Sequence, residues 1–356
     1  MLKVRHLIRI ERTYPKSSLR SALISCFVSF SLPIFPFAVD EERYSRQLVV
    51  HGIDAQRKLQ SSNVVIIGLS GLGAEVAKNI ILAGVGTVTL CDPEPPTSYD
   101  LGGNYCLSED CVGHNAGRAM LSATKLDSLN PNTTVRVAHQ VSSITNEAEL
   151  TTLIQADTTS CLVVTLPLPI STVLVLNDLC RARGVPFIYS QVNGVFGHVF
   201  CDFGQSFTVY DKDGEDPATS QVREILPTNP ATVNVDPTIG THGLVTGDYV
   251  KLERVKGADG SIIKSTQEYE VEVTNEYSFK MLGCDLSNCQ EAATQGYVKQ
   301  VKRSTKVSFW PLRKMLRHPE ESYDNVTDEG KANRPPLLHL AFRALAAYQD
   351  RHGVDY

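Results

Sequence analysis

The sequence predicts an α/β fold with a parallel sheet, an inserted small β-barrel-like domain and a helical C-terminal segment. Three observations support this architecture. Apolar strands alternate with helix-periodic segments in the first half, a glycine-rich turn joins the first strand to the first helix, and short β-rich runs follow from about residue 204. Strands that alternate with helices are typical of parallel sheets with right-handed crossovers.

The first strand–turn–helix unit is the clearest local signal. Residues 64–67 form a continuous β-branched run, as expected for a strand buried on both faces. The glycines Gly68, Gly71 and Gly73 follow, and residues 74–82 have helical spacing. A second strand over 88–92 ends on Asp92. The other predicted strands cover 134–139, 161–165 and 186–190, and the other predicted helices cover 114–129 and 173–183.

The pattern changes near Gly204, where the inserted segment begins. Its predicted strands are 207–210, 249–252, 269–273 and 277–281. The C-terminal part returns to helix over 311–316 and 337–348, with a break at Pro335-Pro336. We therefore expect four regions: an extension over 1–39, an α/β domain over 40–203, an inserted β-rich domain over 204–307 and a helical segment over 308–356.

Composition excludes some classes of function. The net charge of -5 and a pI near 6.0 argue against nucleic-acid binding, which usually needs a basic face. The nine cysteines form no CxxC pair, so we expect reduced thiols in a cytoplasmic or nuclear protein. Cys91, Cys161 and Cys201 lie in apolar strands and are predicted core thiols. His51, His114 and His242 share no metal-ligand spacing, so no metal site is expected.

The first 39 residues allow two interpretations. A basic flank before an apolar run over about 22–39 resembles a signal peptide or a membrane anchor. Pro33 and Pro36 interrupt that run, however, and no small-residue cleavage site follows. We favour an extension outside the folded protein and expect no membrane association, with a secretory or anchored protein as the alternative.

The glycine turn and Asp92 suggest a nucleotide pocket. Glycines let the backbone approach a ligand, a helix N-terminus favours an anion, and an acidic strand end accepts hydrogen bonds from a ribose. The spacing of Gly68, Gly71 and Gly73 is G-x-x-G-x-G, whereas the dinucleotide fingerprint is G-x-G-x-x-G. An NAD(P)-dependent oxidoreductase therefore remains only an alternative, and a glycine turn can also serve folding alone.

Several motifs, in a fixed order, carry a family resemblance. They are residues 42–48 (ERYSRQL), 75–84 (EVAKNIILAG), 194–204 (GVFGHVFCDFG), 210–215 (YDKDGE), 247–250 (GDYV) and 296–302 (GYVKQVK). From about Asp40 onward the chain resembles ThiF/MoeB-type adenylating enzymes, and in particular the N-terminal half of ubiquitin-activating enzymes. The resemblance implies a Rossmann-like, ThiF-type adenylation domain, an inserted first catalytic-cysteine half-domain, and the start of a helical-bundle linker.

The resemblance also implies that this adenylation domain is inactive. Aligned without a gap, Gly103 and Asn104 occupy the positions of the family's Arg and Gln, and His114 lies in a segment that carries lysine. Leu166 follows the strand where active members place a magnesium-linked aspartate. Phosphoryl chemistry depends on such cations, so Gly68, Gly71, Gly73 and Asp92 are expected to form only a vestigial nucleotide pocket. We expect this chain to bind no cofactor of its own, with ATP and magnesium held by the partner half.

Arg46 is the candidate that keeps a chemical role. It matches the family's N-terminal arginine that reaches into the partner's ATP site, and a guanidinium suits phosphate oxygens. The alternative is a surface ion pair with Glu41 or Glu42.

The implied function is the non-catalytic half of a ubiquitin-activating enzyme. Its expected partners are an active adenylation domain, in cis or in trans, and ubiquitin, which is adenylated and then transferred to a thioester. The small subunit of a SUMO- or NEDD8-type heterodimer and a non-catalytic adapter for a ubiquitin-like protein remain alternatives. The segment over 204–307 favours the single-chain ubiquitin type.

Overall fold

A six-stranded sheet organises the first half of the chain. The computed structural model describes residues 39–144, 146–155, 159–211, 214–256, 262–263, 267–289, 291–318 and 334–352. The sheet has the order β3-β2-β1-β4-β5-β6. Its strands are β1 Asn63–Ile67, β2 Thr87–Cys91, β3 Thr134–Val137, β4 Cys161–Val164, β5 Phe187–Asn193 and β6 Phe196–Asp202. The first five are parallel, as predicted.

The last strand departs from the prediction of an all-parallel sheet. β6 runs antiparallel to β5, with Phe187 opposite Asp202 and Asn193 opposite Phe196. Only Gly194 and Val195 separate the two strands, and Gly194 has φ 60°. A glycine at the first position of a two-residue loop is typical of a tight hairpin. The hairpin therefore replaces a crossover and makes β6 the edge of the sheet.

Helices cover both faces of the sheet. They are α1 Ser45–Gln60, α2 Gly71–Leu82, α3 Arg118–Asp127, α4 Glu147–Gln155, α5 Ile170–Ala182, α6 Leu312–Arg317 and α7 Arg334–His352. One apolar core packs Leu59, Ile80 and Leu126 against one face of the sheet. A second packs Leu150 and Leu176 against the other face. Continuous burial of β1 and β4 on both faces explains why those strands lack an alternating pattern.

Two predicted helix boundaries are wrong. The helix expected from residue 114 begins only at Arg118, after a short 3₁₀ turn over Glu109–Cys111. The break expected at Pro335-Pro336 is instead the first turn of α7, which begins at Arg334. Proline is tolerated there because the first backbone N–H groups of a helix have no intrahelical acceptor.

The chain divides into two compact units, with boundaries at Thr208/Val209 and Thr305/Lys306. The unit over Val209–Thr305 is an antiparallel barrel, in agreement with the expected β-barrel-like fold. Around the barrel, the order of neighbouring strands is β8-β16-β10-β13-β14-β9, and pairing of β8 with β9 closes the barrel. They are β8 Thr219–Leu226, β9 Ala231–Val235, β10 Tyr249–Glu253, β13 Tyr269–Asn275, β14 Ser278–Leu282 and β16 Tyr297–Val301.

The second unit also has an apolar interior, and five further short strands lie in it or at its ends. β11 Val255–Lys256, β12 Ile262–Ile263 and β15 Ala293–Thr294 extend the sheet beyond β8. Val250, Val271 and Phe279 fill the interior. Where the chain passes between the two units, β7 Phe207–Val209 pairs with β17 Thr305–Val307.

Candidate functional site

The glycines of the first strand-to-helix turn are required by their own surroundings. Gly68 has φ 100°, a left-handed conformation that favours glycine. A methyl group on Gly73 would overlap the carbonyl oxygen of Gly68, and one on Gly71 would lie 2.9 Å from Cα of Gly103. Thr165 donates its hydroxyl to the Gly68 carbonyl at 2.8 Å. Close backbone packing thus explains the glycines without any ligand.

Asp92 lies one residue beyond β2, with its side chain fully buried. Its Oδ2 accepts the backbone N–H of Leu69 at 2.7 Å, and its Oδ1 accepts that of Glu94 at 3.2 Å. The same two oxygens accept Nε and Nη2 of Arg118 at 2.8 Å and 3.2 Å. Burial raises the pKa of the Asp92 carboxyl, and the Arg118 guanidinium opposes that shift. Asp92 is therefore one side of a bidentate, largely buried ion pair.

Arg118 is the residue of this site that the sequence reasoning missed. It begins α3, and its Nη1 also approaches Oδ2 of Asp100 at 3.4 Å. Burial lowers the pKa of the guanidinium, but the charges of Asp92 and Asp100 more than offset this, so the pKa is raised overall. A basic residue in the first turn of a helix opposes the helix dipole, and that placement is the sequence signal which could have indicated a nearby carboxylate.

The other residues at the aligned family positions have different surroundings from one another. Asn104 is buried and donates to the Leu69 carbonyl at 2.7 Å, so it anchors the loop that follows the 3₁₀ turn Asp100–Gly102. His114 is exposed. Leu166 is buried, and its Cγ would lie within contact distance of any side chain on Gly68. Arg118 rather than His114 thus brings a cation to the strand end.

Residues of the N-terminal motif divide between interior and surface. Tyr44 is buried, and its hydroxyl accepts Nδ2 of Asn130 at 2.9 Å. Gln47 donates to the Leu82 carbonyl at 3.3 Å, which ties α1 to the end of α2. Arg46 is exposed between these anchors, and among the described residues neither Glu41 nor Glu42 forms an ion pair with it.

Arg46 and the glycine turn are separate features of the unit. Two exposed valines, Val49 and Val50, follow Arg46 on α1 at 88% and 81% exposure. The surface around Arg46 is therefore partly apolar, unlike the polar network that surrounds Asp92.

The remaining candidates have structural surroundings. Cys91 and Cys161 are buried in the two cores and Cys201 is partly buried, as predicted for core thiols. His242 uses both ring nitrogens, with Nε2 2.7 Å from the Asn275 carbonyl and Nδ1 accepting Leu244 N–H at 3.0 Å. Within the described ranges, no group of three or more His, Cys, Asp or Glu side chains could hold a metal ion.

A membrane-anchored protein would need a helix that can cross a bilayer. Among the described residues, no helix combines the length and the apolar character needed to cross a bilayer. The apolar run predicted over 22–39 lies almost wholly outside those residues.

Family models match three successive stretches of this chain. The chain matches the ThiF family over residues 44–254, the FCCH domain of ubiquitin-activating enzyme E1 over residues 228–302, and the E1 four-helix bundle over residues 303–354. Among solved structures, E. coli MccB with succinimide shares 25% identity over 42% of this chain and 44% of that one, with a TM-score of 0.37.

Curated relatives point the same way. Ubiquitin-activating enzyme E1 1 of Schizosaccharomyces pombe is 38% identical over 314 residues, which are 88% of this chain and 29% of that protein. Ubiquitin-like modifier-activating enzyme 1 of Homo sapiens is 35% identical, over 88% of this chain and 28% of its own length. The chain thus spans less than a third of the relatives that it matches. Because the ThiF match covers the larger part of the chain, the chain belongs to the ThiF family.

Proposed function

We propose that this chain is the non-catalytic adenylation half of a ubiquitin-activating enzyme. It pairs with an active adenylation domain, in cis or in trans, and supports ATP-dependent adenylation of ubiquitin and its transfer to a thioester. The observation that carries the proposal is the exposure of Arg46 beside buried Tyr44. Tyr44 anchors the motif in the interior, while the side chain of Arg46 is exposed.

The strand end of this unit supports a non-catalytic role. Asp92 already binds Arg118, and Arg118 also binds Asp100. Transfer of a nucleotidyl group needs cations that neutralise developing phosphate charge. Here the guanidinium faces two carboxylates of the chain itself. ATP and magnesium are accordingly assigned to the partner domain.

Arg46 would act in that partner's site. A guanidinium stays charged and can donate two parallel hydrogen bonds to phosphate oxygens. The exposed Val49 and Val50 on the same helix provide apolar surface next to it for the partner to cover. Helix α1 would thus supply both the contact and the charge.

The match to the E1 FCCH domain favours the ubiquitin type over a SUMO- or NEDD8-type small subunit. An oxidoreductase would need Asp92 to accept hydrogen bonds from a ribose, and Asp92 is engaged by Arg118. Cofactor titration with NAD(P) tests that alternative directly.

The test is ubiquitin-dependent ATP–pyrophosphate exchange by the purified chain, alone and mixed with a separately made active half. We expect no exchange alone and exchange on mixing. Arg46→Ala should lower the rate of the mixture by about 100-fold or more, the effect of removing one preorganised charge donor. Arg46→Lys should recover part of it, since the charge remains while the bidentate geometry is lost.

Arg57→Ala is the matched control. Arg57 lies in the second part of α1, beyond the non-helical backbone of Gly52. It is exposed, and its ion pair in the described structure is with nearby Asp54 at 3.1 Å. Its removal should leave exchange unchanged. Exchange by the chain alone would contradict the non-catalytic assignment, and an unchanged rate with Arg46→Ala would contradict the role in trans. Retention of ubiquitin without any stimulation on mixing would favour the adapter.

A further inference from the structure

The carboxylate of Asp92 has no acceptor position left for a ligand. A carboxylate offers about four lone-pair positions. In this structure Oδ2 accepts Leu69 N–H and Arg118 Nε, and Oδ1 accepts Glu94 N–H and Arg118 Nη2. A ribose hydroxyl could reach Asp92 only if one of these donors left.

The loop that follows Asp92 packs against the glycine turn between β1 and α2. Asp100 Oδ2 accepts the backbone N–H and the hydroxyl of Thr97 at 2.8 Å and 3.1 Å, and it also pairs with Arg118. Three residues later, the backbone of Gly103 lies against Gly71 in the first turn of α2. One guanidinium between two carboxylates leaves a net negative charge, which repels a polyphosphate.

We infer that Arg118 acts as an internal ligand, taking the positions on Asp92 that a ribose would use and so closing this unit to adenine nucleotides. Arg118 is a positioning residue rather than a catalytic one: it fixes the strand end, the loop and the start of α3 in one arrangement. The inference goes beyond the proposed function, because it concerns a site in this chain and not its pairing with another.

The experiment uses the full chain alone, so its outcome is independent of the exchange assay. Isothermal titration measures binding of adenosine and of ATP with magnesium to the wild type, Arg118→Ala and Arg118→Lys. Adenosine carries the ribose without the phosphate charge, and 2′,3′-dideoxyadenosine is the ligand control. Arg183→Ala is the variant control, since the Arg183 guanidinium donates to the Ile154 carbonyl at 3.1 Å and makes no hydrogen bond to Asp92 in the described structure.

We expect no binding of either ligand by the wild type or by Arg183→Ala. Freeing Asp92 with Arg118→Ala should make adenosine binding measurable, with a dissociation constant at least about tenfold below the highest value that the titration can detect, a difference of about 1.4 kcal/mol. The dideoxy analogue should gain nothing. If the alanine variant does not fold, Arg118→Lys decides, because it keeps the charge but loses the bidentate contact and so vacates one acceptor position on Asp92.

Three results would overturn the inference. One is binding of adenosine or ATP by the wild type that Asp92→Asn abolishes. Another is a folded Arg118 variant that still binds no adenosine. The third is an equal gain in Arg183→Ala, which would trace the binding to general loosening of the unit.

Discussion

At the scale of single residues, the site is decided by a partner that lies far away along the chain. Asp92 can be identified from the sequence as a candidate site residue, because it directly follows an apolar strand. Arg118 cannot, because alignment without a gap places His114 at the cation position, and His114 is exposed. Backbone hydrogen bonds hold the start of α3 beside Asp92: Arg118 N–H donates to the Glu94 carbonyl at 2.8 Å and Ala119 N–H donates to the Asp92 carbonyl at 3.1 Å.

The glycines of the turn give the sharpest prediction at this scale. Gly73→Ala should lower the free energy of unfolding by about 3 kcal/mol or more, because the new methyl group meets the Gly68 carbonyl and backbone cannot yield as a flexible side chain does. Gly102→Ala is the control: nothing lies within 4 Å of a methyl group there. Urea denaturation of both variants checks this, and equal stabilities would contradict it.

At the scale of elements, buried polar groups connect α5 with the end of β6. Asp202 is buried and accepts Arg181 Nη1 at 2.6 Å and Asn177 Nδ2 at 3.0 Å. Asn177 Oδ1 in turn accepts the backbone N–H of Leu312 at 2.9 Å, at the start of α6. The C-terminal segment is thereby held to the sheet by specific hydrogen bonds, as well as by the apolar contacts of Leu312 and Met315.

Asp202→Asn should weaken this connection. Removing one partner of a buried ion pair leaves the other charge uncompensated, and we expect a loss of about 3 kcal/mol in unfolding free energy. Asp178→Asn on the same helix is the control, because its pair with Arg313 is exposed and should contribute less than about 1 kcal/mol. Denaturant midpoints measure both; a similar small loss in each would refute the special role of Asp202.

Helix α7 meets the sheet through His198. The ring of His198 lies 4.6 Å from Phe342 and 5.1 Å from Tyr189, and its Nδ1 is buried without a hydrogen-bond partner in the described structure. Burial, with a smaller effect of nearby His339, lowers the pKa of His198 from 6.5 to about 4. The folded state therefore favours the neutral ring.

The lowered pKa of His198 determines whether the free energy of unfolding rises or falls with pH. As pH falls from about 6.5 to about 4, the unfolded chain gains a proton at His198 before the folded chain does, so stability decreases by up to about 3 kcal/mol. His198→Phe should remove that part of the pH dependence. Unfolding free energies of the two proteins between pH 4 and pH 7.5 provide the measurement. Parallel curves would show that His198 contributes nothing.

At the scale of the whole molecule, the chain matches less than a third of the length of its curated relatives. Its two units have separate cores, which lie on the two faces of the six-stranded sheet and inside the barrel. The exposed valines of α1 belong to the first unit, and they are the surface that the proposed partner would cover.

Val49→Asp tests that surface. A side chain that is 88% exposed contributes little to folding, so the free energy of unfolding should change by less than about 0.5 kcal/mol. If α1 contacts the active half, the new charge should weaken their association at least about tenfold, because a carboxylate would be desolvated in the interface. Sedimentation of the mixture measures this. Val245→Asp, at an exposed position of the barrel unit, is the control.

The sequence by itself determined the class of fold, because strand burial and helix periodicity are local properties. The run Val64–Ile67 and the helix-spaced residues after Gly73 are sufficient for a parallel α/β sheet. The short β-rich runs likewise indicated a small antiparallel sheet or barrel, and the pairing of β8 with β9 makes it a barrel. Three features were decided only by the tertiary structure: the hairpin that makes β6 antiparallel, the start of α7 at Arg334 just before its proline pair, and the ion pair of Asp92 with Arg118. Those features depend on which distant groups compete for the same hydrogen bonds, and that competition is settled only when the chain is folded.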